Sequence, residues 1–290
     1  MTELLAQTAP KKYAILSMDV EDWYHSDYFI DKKLDRSYSM LDGLDRYVGM
    51  LQDLQIPSSF FVLSDLAKSL QSKMLELSSC GYELACHGDD HTRPLLIPSK
   101  DFYIRTVAAK KKIEDLTGLS VAGYRAPSFS LDRERLDMIR KAGFLYDSSK
   151  NAFSDHPLYG CIDISGFDKV VPNIYRAENF FEFEVSTLKI ADKNIPVSGG
   201  GYLRILPWWL TSNLITRYLK DASFYVLFIH PFELSHRAAP YLDNTVSFPT
   251  RMRFSLGRST TEIKLRKVIS LLKKEDFCFT TFSDLRQILK

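Results

Sequence analysis

The sequence contains no apolar run long enough to cross a bilayer, no CxxC pair, no tandem repeat, no low-complexity tract and no long block of like charge. Each absence narrows the field. Without a hydrophobic stretch of about 18 residues or more, nothing argues for a membrane-spanning helix. The four cysteines, Cys80, Cys86, Cys161 and Cys278, lack the spacing of a redox or zinc motif. A chain of 290 residues also buries a core large enough to need no disulfide staples. Residues 1–10 carry Glu3 and lack a basic segment followed by an apolar core, so they do not read as a secretory signal and the cytoplasm is the expected compartment. With 38 basic and 36 acidic residues mixed along the chain, the net charge of +2 singles out neither nucleic acid nor a charged surface as partner. Lys110-Lys111-Lys112 falls within a helical pattern and reads as a solvated face.

What is present is a serial alternation of short strands and amphipathic helices. Residues 13–18, apolar apart from Ser17, read as a strand covered on both faces. Helical spacing follows over 41–54, stopped by Pro57, then a strand at 59–63, a helix at 66–77 closed by Cys80-Gly81, and a strand at 82–86. A helix at 102–116, a strand at 121–124, a helix at 132–141 and a strand at 144–146 continue the pattern. Residues 151–207 are less regular, hold a strand at 180–185 and a Gly199-Gly200-Gly201 turn, and read as an insertion on one rim. Helix 207–219, strand 225–229, helix 263–272 and strand 277–282 complete the chain. Serial units of this kind imply a parallel sheet or barrel, and 45% hydrophobic residues suit one domain over 1–290.

Polar residues collect where the strands end, which is where parallel β-α folds gather their functional groups. The first strand runs into Asp19, Glu21 and Asp22, and carboxylates so crowded call for a cation, a basic partner or a proton-transfer task. The third runs into His87-Gly88-Asp89-Asp90-His91, a spacing that one helical turn would place on one side. Two imidazoles and one carboxylate form a facial set suited to Zn²⁺ or a similar cation. Arg125-Ala126-Pro127 follows the fourth strand and His230 a late one.

Taken in order, Asp19 to Asp22, His87 to His91, Arg125-Ala126-Pro127, Tyr146-Asp147-Ser148-Ser149 and Phe228-Ile229-His230 resemble the five motifs of the polysaccharide deacetylase (NodB-homology, carbohydrate esterase family 4-like) family. The resemblance covers residues 13–231 and is closest to an Asp-Val-Glu-Asp branch linked to bacterial exopolysaccharide and surface-glycan biosynthesis. That branch also has segments similar to 156–160, to Ser198-Gly-Gly-Gly-Tyr-Leu-Arg204 and to His230-Pro-Phe-Glu233. It implies a distorted (β/α) barrel with fewer than eight regular units and metal-dependent removal of an N-acetyl group from an amino sugar. The substrate would be an N-acetylated sugar, glycan or sugar nucleotide, and the metal Zn²⁺, with Co²⁺, Ni²⁺ or Fe²⁺ as alternatives.

By the resemblance, Asp19 is the general base, Arg125 its partner, His230 the general acid and Asp147 the partner of His230. His87, His91 and Asp22 are the expected metal ligands. The commoner family pattern is Asp-Asp-Gly, so Asp19-Val20-Glu21-Asp22 leaves Glu21 able to replace either acid. Trp23, Tyr24 and Pro127 are expected to line the substrate site, and Trp208 and Trp209 are either stacking or core residues. His25 and His156 are further candidates for lining the site, and His236 a weaker one. Two other readings share parts of this pattern: an amide hydrolase acting on a formamide or cyclic imide, and a silent glycan-binding homologue.

Overall fold

The computed structural model describes residues 11–29, 32, 34–152, 159–242 and 245–290. Strand β1 (Lys12–Val20) is buried from Ala14 onward because parallel neighbours cover both of its edges. The units that follow are α1 (Asp42–Leu54), β2 (Ser59–Val62), α2 (Ser64–Ala67), α3 (Gln71–Ser79), β3 (Glu83–Cys86), α4 (Ser99–Thr117), β4 (Gly123–Tyr124), α5 (Arg133–Lys141) and β5 (Tyr146–Asp147). A meander of β6 (Asp168–Val171), β7 (Ile174–Ala177) and β8 (Phe180–Phe183) comes next, then the hairpin β9 (Thr187–Ile190) and β10 (Lys193–Pro196). The chain finishes with α6 (Gly200–Ile205), α7 (Trp208–Leu219), β11 (Phe224–Ile229), α8 (Pro231–Leu234), α9 (Phe248–Ser255), α10 (Thr261–Lys274), β12 (Phe277–Phe279) and α11 (Phe282–Ile288).

The main sheet runs β11-β1-β2-β3-β4-β5-β8, all parallel, with β7 and β6 added antiparallel beyond β8. β12 takes the stretch of the β1 edge that β2 leaves free, pairing Lys12 to Ala14. Between β8 and β11 the sheet is linked by single strands of bonding. Phe228 N donates to Ser198 O at 2.9 Å, Ser198 Oγ to Ser186 O at 2.8 Å, and Val226 N to Ser186 Oγ at 3.0 Å. The sheet therefore curls into a distorted barrel.

Residues on opposite faces of each strand divide the core in two. Ala14, Leu16, Met18 and Val20 pack outward with α1, α4, α5 and α10, whereas Ile15 packs inward with Phe61, Phe181, Phe183, Val226 and Phe282.

Three sequence expectations change here. Residues 151–207 are more than a rim insertion, because β8 pairs in parallel with β5 and is a barrel strand. The helix expected at 66–77 divides into α2 and α3. The last strand stops at Phe279, because the Thr281 side chain accepts from Asp284 N and starts α11.

Candidate active site

The alternation along β1 sets the site. Ser17, Asp19 and Glu21 follow Ile15 at period two and face the barrel interior, where Arg125 from the end of β4 meets them. Arg125 is fully buried. Its Nη1 donates to Asp19 Oδ1 at 2.7 Å and to Ser17 Oγ at 2.9 Å, its Nε to Ser148 O at 3.1 Å and its Nη2 to Ser148 Oγ at 3.0 Å. The guanidinium also lies 4.0 Å from the Phe61 ring centroid. A planar fork held at so many points fixes the Asp19 carboxylate in one orientation.

His87 and His91 do not lie on a helical turn. They sit on a loop leaving β3 in which Gly88 has φ +87° and His91 φ +65°. The left-handed backbone at His91 is a strained conformation of the kind held at functional sites, and it swings the second imidazole back toward the first. His87 Nδ1 donates to Arg125 O at 2.9 Å, which leaves Nε2 as the free ring nitrogen. That Nε2 lies 3.9 Å from Glu21 Oε2, and His91 Nε2 lies 2.6 Å from the same oxygen. One donor atom from each of these three residues falls within 4.8 Å of the others.

Glu21 Oε2 is buried between the two imidazoles, close to His91 Nε2 and within reach of His87 Nε2. Burial pushes His87 down to about 4, so it is neutral, as a ligand must be. Burial opposes ionisation of Glu21 too, but the imidazoles of His91, His230 and His87 outweigh it and hold that carboxyl far below its ordinary range. Two imidazoles and one carboxylate with open directions fit a divalent cation.

The expectation for Asp22 is corrected. Its Oδ1 accepts from Trp23 N and Met40 N, both at 2.8 Å, capping the short 3-10 turn Trp23–His25. With the opposite parity to Glu21, it turns away from the barrel interior.

His230 enters from the end of β11. Its Nε2 lies 3.7 Å from Glu21 Oε1 and 4.0 Å from Asp19 Oδ2. Its Nδ1 lies 3.3 Å from Glu233 Oε2, and the same oxygen accepts from His230 N at 3.0 Å. Arg204 Nε stands 3.5 Å behind, at Glu233 Oε1, while Arg204 Nη1 donates to Arg253 O, Phe254 O and Leu256 O at 2.7, 3.1 and 2.5 Å. Burial would lower His230, but the Glu233 hydrogen bond and the charges of Glu21, Glu233 and Asp19 raise it to about 9. A Cβ on Gly200 would fall 2.0 Å from Glu233 Oε2, so the glycine turn lets α6 close directly over this carboxylate.

Four strand ends, those of β1, β3, β4 and β11, thus converge on one buried cluster of acids, imidazoles and a guanidinium. Residues 35–146 match the family model described as polysaccharide deacetylase, and residues 148–287 match a domain of unknown function, DUF3473. The first of these matches supports a polysaccharide deacetylase of the NodB-homology type.

This chain is 25% identical over 107 residues to a peptidoglycan deacetylase of Helicobacter pylori, a match covering 37% of this chain and 36% of that relative. Among solved structures, a polysaccharide deacetylase homologue from Mycobacterium smegmatis aligns with a TM-score of 0.62 and 19% identity, over 97% of this chain and 91% of that one. An allantoinase aligns at 0.60 and 13%, over 95% and 89%, and a CE4 family pseudoenzyme from Bacillus anthracis at 0.54 and 14%, over 96% and 66%. At these identities the structural likeness shows the shared fold.

Other expected site residues are placed differently. Asp147 accepts from Ser149 N and Ser149 Oγ, both at 2.8 Å, and sits opposite its cross-strand partner Glu182, so the neighbour of His230 is Glu233 and not Asp147. Burial together with the adjoining carboxyl pushes Glu182 well up, and the two carboxyls hold a proton between them. Trp23 is fully buried, donates Nε1–H to Tyr38 O at 2.8 Å and packs edge-on against Phe29 and Phe254, leaving no face for a sugar ring. Tyr24 is half-buried beside the His25 ring, with Arg36 over its own ring. Pro127 is buried against Gly88, 3.4 Å from where a Cβ would stand, and backs the histidine loop instead of facing solvent.

His25 faces Asp65 at 3.4 Å with its ring 6.4 Å from that of His91, so it flanks the cluster. His236 is an exposed partner of Arg46, and His156 lies outside the described residues. Trp209 is largely exposed at the start of α7 and Trp208 lies under Lys267. The residues that sequence reasoning left without a role are Ser148, Arg204 and Glu233, although all three fall in segments already singled out.

Proposed function

We propose that the chain is a divalent-metal-dependent N-deacetylase acting on an N-acetylated amino sugar in bacterial surface-polysaccharide biosynthesis, with residues 1–290 as one catalytic unit. The observation that carries this reading is the convergence of Glu21, His87 and His91 with the Asp19–Arg125 and His230–Glu233 pairs, His230 Nε2 lying 3.7 Å from Glu21 and 4.0 Å from Asp19. An acetamide is a poor electrophile with a poor leaving group, so its hydrolysis needs a polarised carbonyl, a deprotonated water and a proton for the departing amine. A cation held by Glu21, His87 and His91, most simply Zn²⁺, supplies Lewis acidity and acidifies water.

The chain's own residues do the rest. Asp19, oriented by Arg125, accepts a proton from the attacking water. His230, a protonated imidazolium positioned by Glu233, donates one to the nitrogen as the C–N bond breaks. Water's oxygen leaves in acetate and the amine leaves with both protons accounted for. The substrate is a nucleotide-linked or lipid-linked precursor or a growing glycan, met in the cytoplasm, a compartment for which the four unpaired cysteines are the support.

The test uses protein purified without chelator. Its metal content is measured, then acetate release from a panel of N-acetylated sugar nucleotides and oligosaccharides. Turnover lost on chelation and restored by Zn²⁺ is expected, and Asp19→Asn should keep the metal while losing about 10²- to 10⁴-fold in rate. Metal-replete protein that releases no acetate from any of them, yet binds one equally well without the His230 side chain, would point to a glycan-binding role instead.

A further inference from the structure

The guanidinium that orients Asp19 is itself held from behind by a single residue. Of its four hydrogen bonds two reach forward to Ser17 and Asp19, and two reach back to Ser148, whose carbonyl accepts from Nε and whose hydroxyl accepts from Nη2. The direction of Arg125 is therefore set by the turn 147–149, which is fully buried. That turn closes on Asp147. One Asp147 oxygen accepts from Ser149 N and the other from Ser149 Oγ, both at 2.8 Å. Ser149 Oγ accepts in turn from Ala126 N at 2.8 Å, which ties the turn to the residue next to Arg125. Glu182, opposite Asp147 on β8, fixes the far end of the turn by accepting from Lys150 N through Oε1 at 2.9 Å.

Two adjoining buried carboxyls do not both carry a charge. Both Asp147 oxygens already accept from Ser149, whereas Glu182 has Oε2 left to bear a proton and donate it to Asp147. Burial pushes both groups up, but the hydrogen bonds of Glu182 and Ser149 and the charge of Arg125 draw Asp147 the other way, so Asp147 keeps the negative charge. His230 takes its carboxylate from Glu233, which leaves this pair without a part in the acid. We propose that Asp147 and Glu182 are positioning residues for the base: they lock the Ser148–Ser149 turn, the turn aims Arg125, and Arg125 holds the Asp19 carboxylate. Reacting groups need this kind of support, since a displacement of about 1 Å costs on the order of 10²-fold in rate. The kinetic consequence rests on the deacetylase reading, whereas the orientation of Arg125 does not.

The experiment compares Asp147→Asn, which is isosteric and removes the charge, with Ser149→Ala, which leaves both carboxyls and cuts their link to Ala126. Each should lower kcat about tenfold, with KM and metal content within about twofold of wild type and the alkaline limb of the pH profile unmoved. In both, the Arg125 Nε–H signal of a heteronuclear NMR spectrum, assigned as the one lost in Arg125→Lys, should shift and exchange faster with solvent. Glu182→Leu should behave likewise. Glu182→Gln keeps an oxygen for Lys150 N and a donor for Asp147, so it should restore the rate and the signal. Ser149→Ala, the smallest change, keeps the test decisive if a carboxyl variant fails to fold. The proposal is overturned if Asp147→Asn and Ser149→Ala turn over within about twofold of wild type. It is equally overturned if Asp147→Asn moves the alkaline limb and leaves the Arg125 signal in place, which would return Asp147 to His230. Should the wild type release no acetate from any glycan offered, the deacetylase reading falls and the Arg125 signal alone decides the positioning.

Discussion

Replacing Glu233 by Gln removes one negative charge 3.3 Å from His230 Nδ1 while keeping an oxygen to accept from His230 N. At that separation opposite unit charges attract by about 1.3 kcal/mol in water and about 5 kcal/mol at an effective dielectric near 20. Glu233 is buried and the His230 side chain is 22% exposed, so a value between those limits, about 2 to 3 kcal/mol, is appropriate. This corresponds to roughly 2 pKa units. His230 sits at about 9 in the intact cluster, so the variant's imidazole should titrate near its ordinary value. A general acid must carry its proton when the amine departs, so the alkaline limb of the acetate-release profile should move down by about 2 units. At pH 8 kcat should fall by about 10- to 30-fold with KM and metal content little changed.

Stability follows the same sign. A raised value in the folded state means the bound proton favours folding, a contribution fully present below about 6.5 and lost as pH rises through about 9. The variant gives it up across that window. Arg204 keeps three backbone carbonyls, so the chain should still fold, at a cost of about 3 kcal/mol for the buried charge left unmatched. The assay is turnover against pH, paired with an NMR titration of the His230 ring in metal-loaded and metal-stripped protein. An alkaline limb that stays in place, with kcat within about twofold of wild type, would refute the role given to Glu233.

Three further outcomes are expected. Glu21→Gln should lose metal affinity by about 10- to 100-fold on competitive titration against a chelator, whereas Asp22→Asn should retain the metal and lower the melting temperature through its two amide contacts; the reverse pattern would restore Asp22 as ligand. Glu182→Gln imitates the protonated carboxyl, and because the folded-state value of Glu182 is raised, the wild type loses stability as pH climbs above about 4.3, by up to about 1.4 kcal/mol per unit. Denaturation at pH 5, 7 and 9 should show the variant equal to wild type in acid and gaining on it in base, and parallel curves would remove the shared proton. Gly200→Ala places a methyl 2.0 Å from Glu233 Oε2 and should reproduce the altered pH profile of Glu233→Gln without touching a charge, at a packing cost of about 1 to 3 kcal/mol; an unchanged profile would show that the carboxylate can yield.

Most helices of the barrel were legible because each buries one face and repeats at helical spacing, and most strands because, covered on both faces, they read as short apolar runs. The antiparallel strands β6, β7, β9 and β10 were not, since half-exposed four-residue strands carry too few apolar positions to stand out from loop. Helix α9 was hidden for the opposite reason, because only Phe254 anchors it and its other apolar residues face away from the core. The pairing of Asp19 with Arg125 depended on the fold bringing together residues 106 positions apart; the motif order suggested it, but nothing local in either segment could.

The choice between Glu21 and Asp22 is a different case, because strand parity alone carries it. Ile15, Ser17, Asp19 and Glu21 share one parity along β1, and Leu16, Met18, Val20 and Asp22 share the other. Once Asp19 is given to the barrel interior as a base, a strand period of two sends Glu21 to the same side and Asp22 to the opposite one. The buried outward run of Leu16, Met18 and Val20 would have confirmed the assignment, since it marks that parity as the helix-facing side. The motif compared acids by their order along the chain, whereas the site selects them by the face on which they stand.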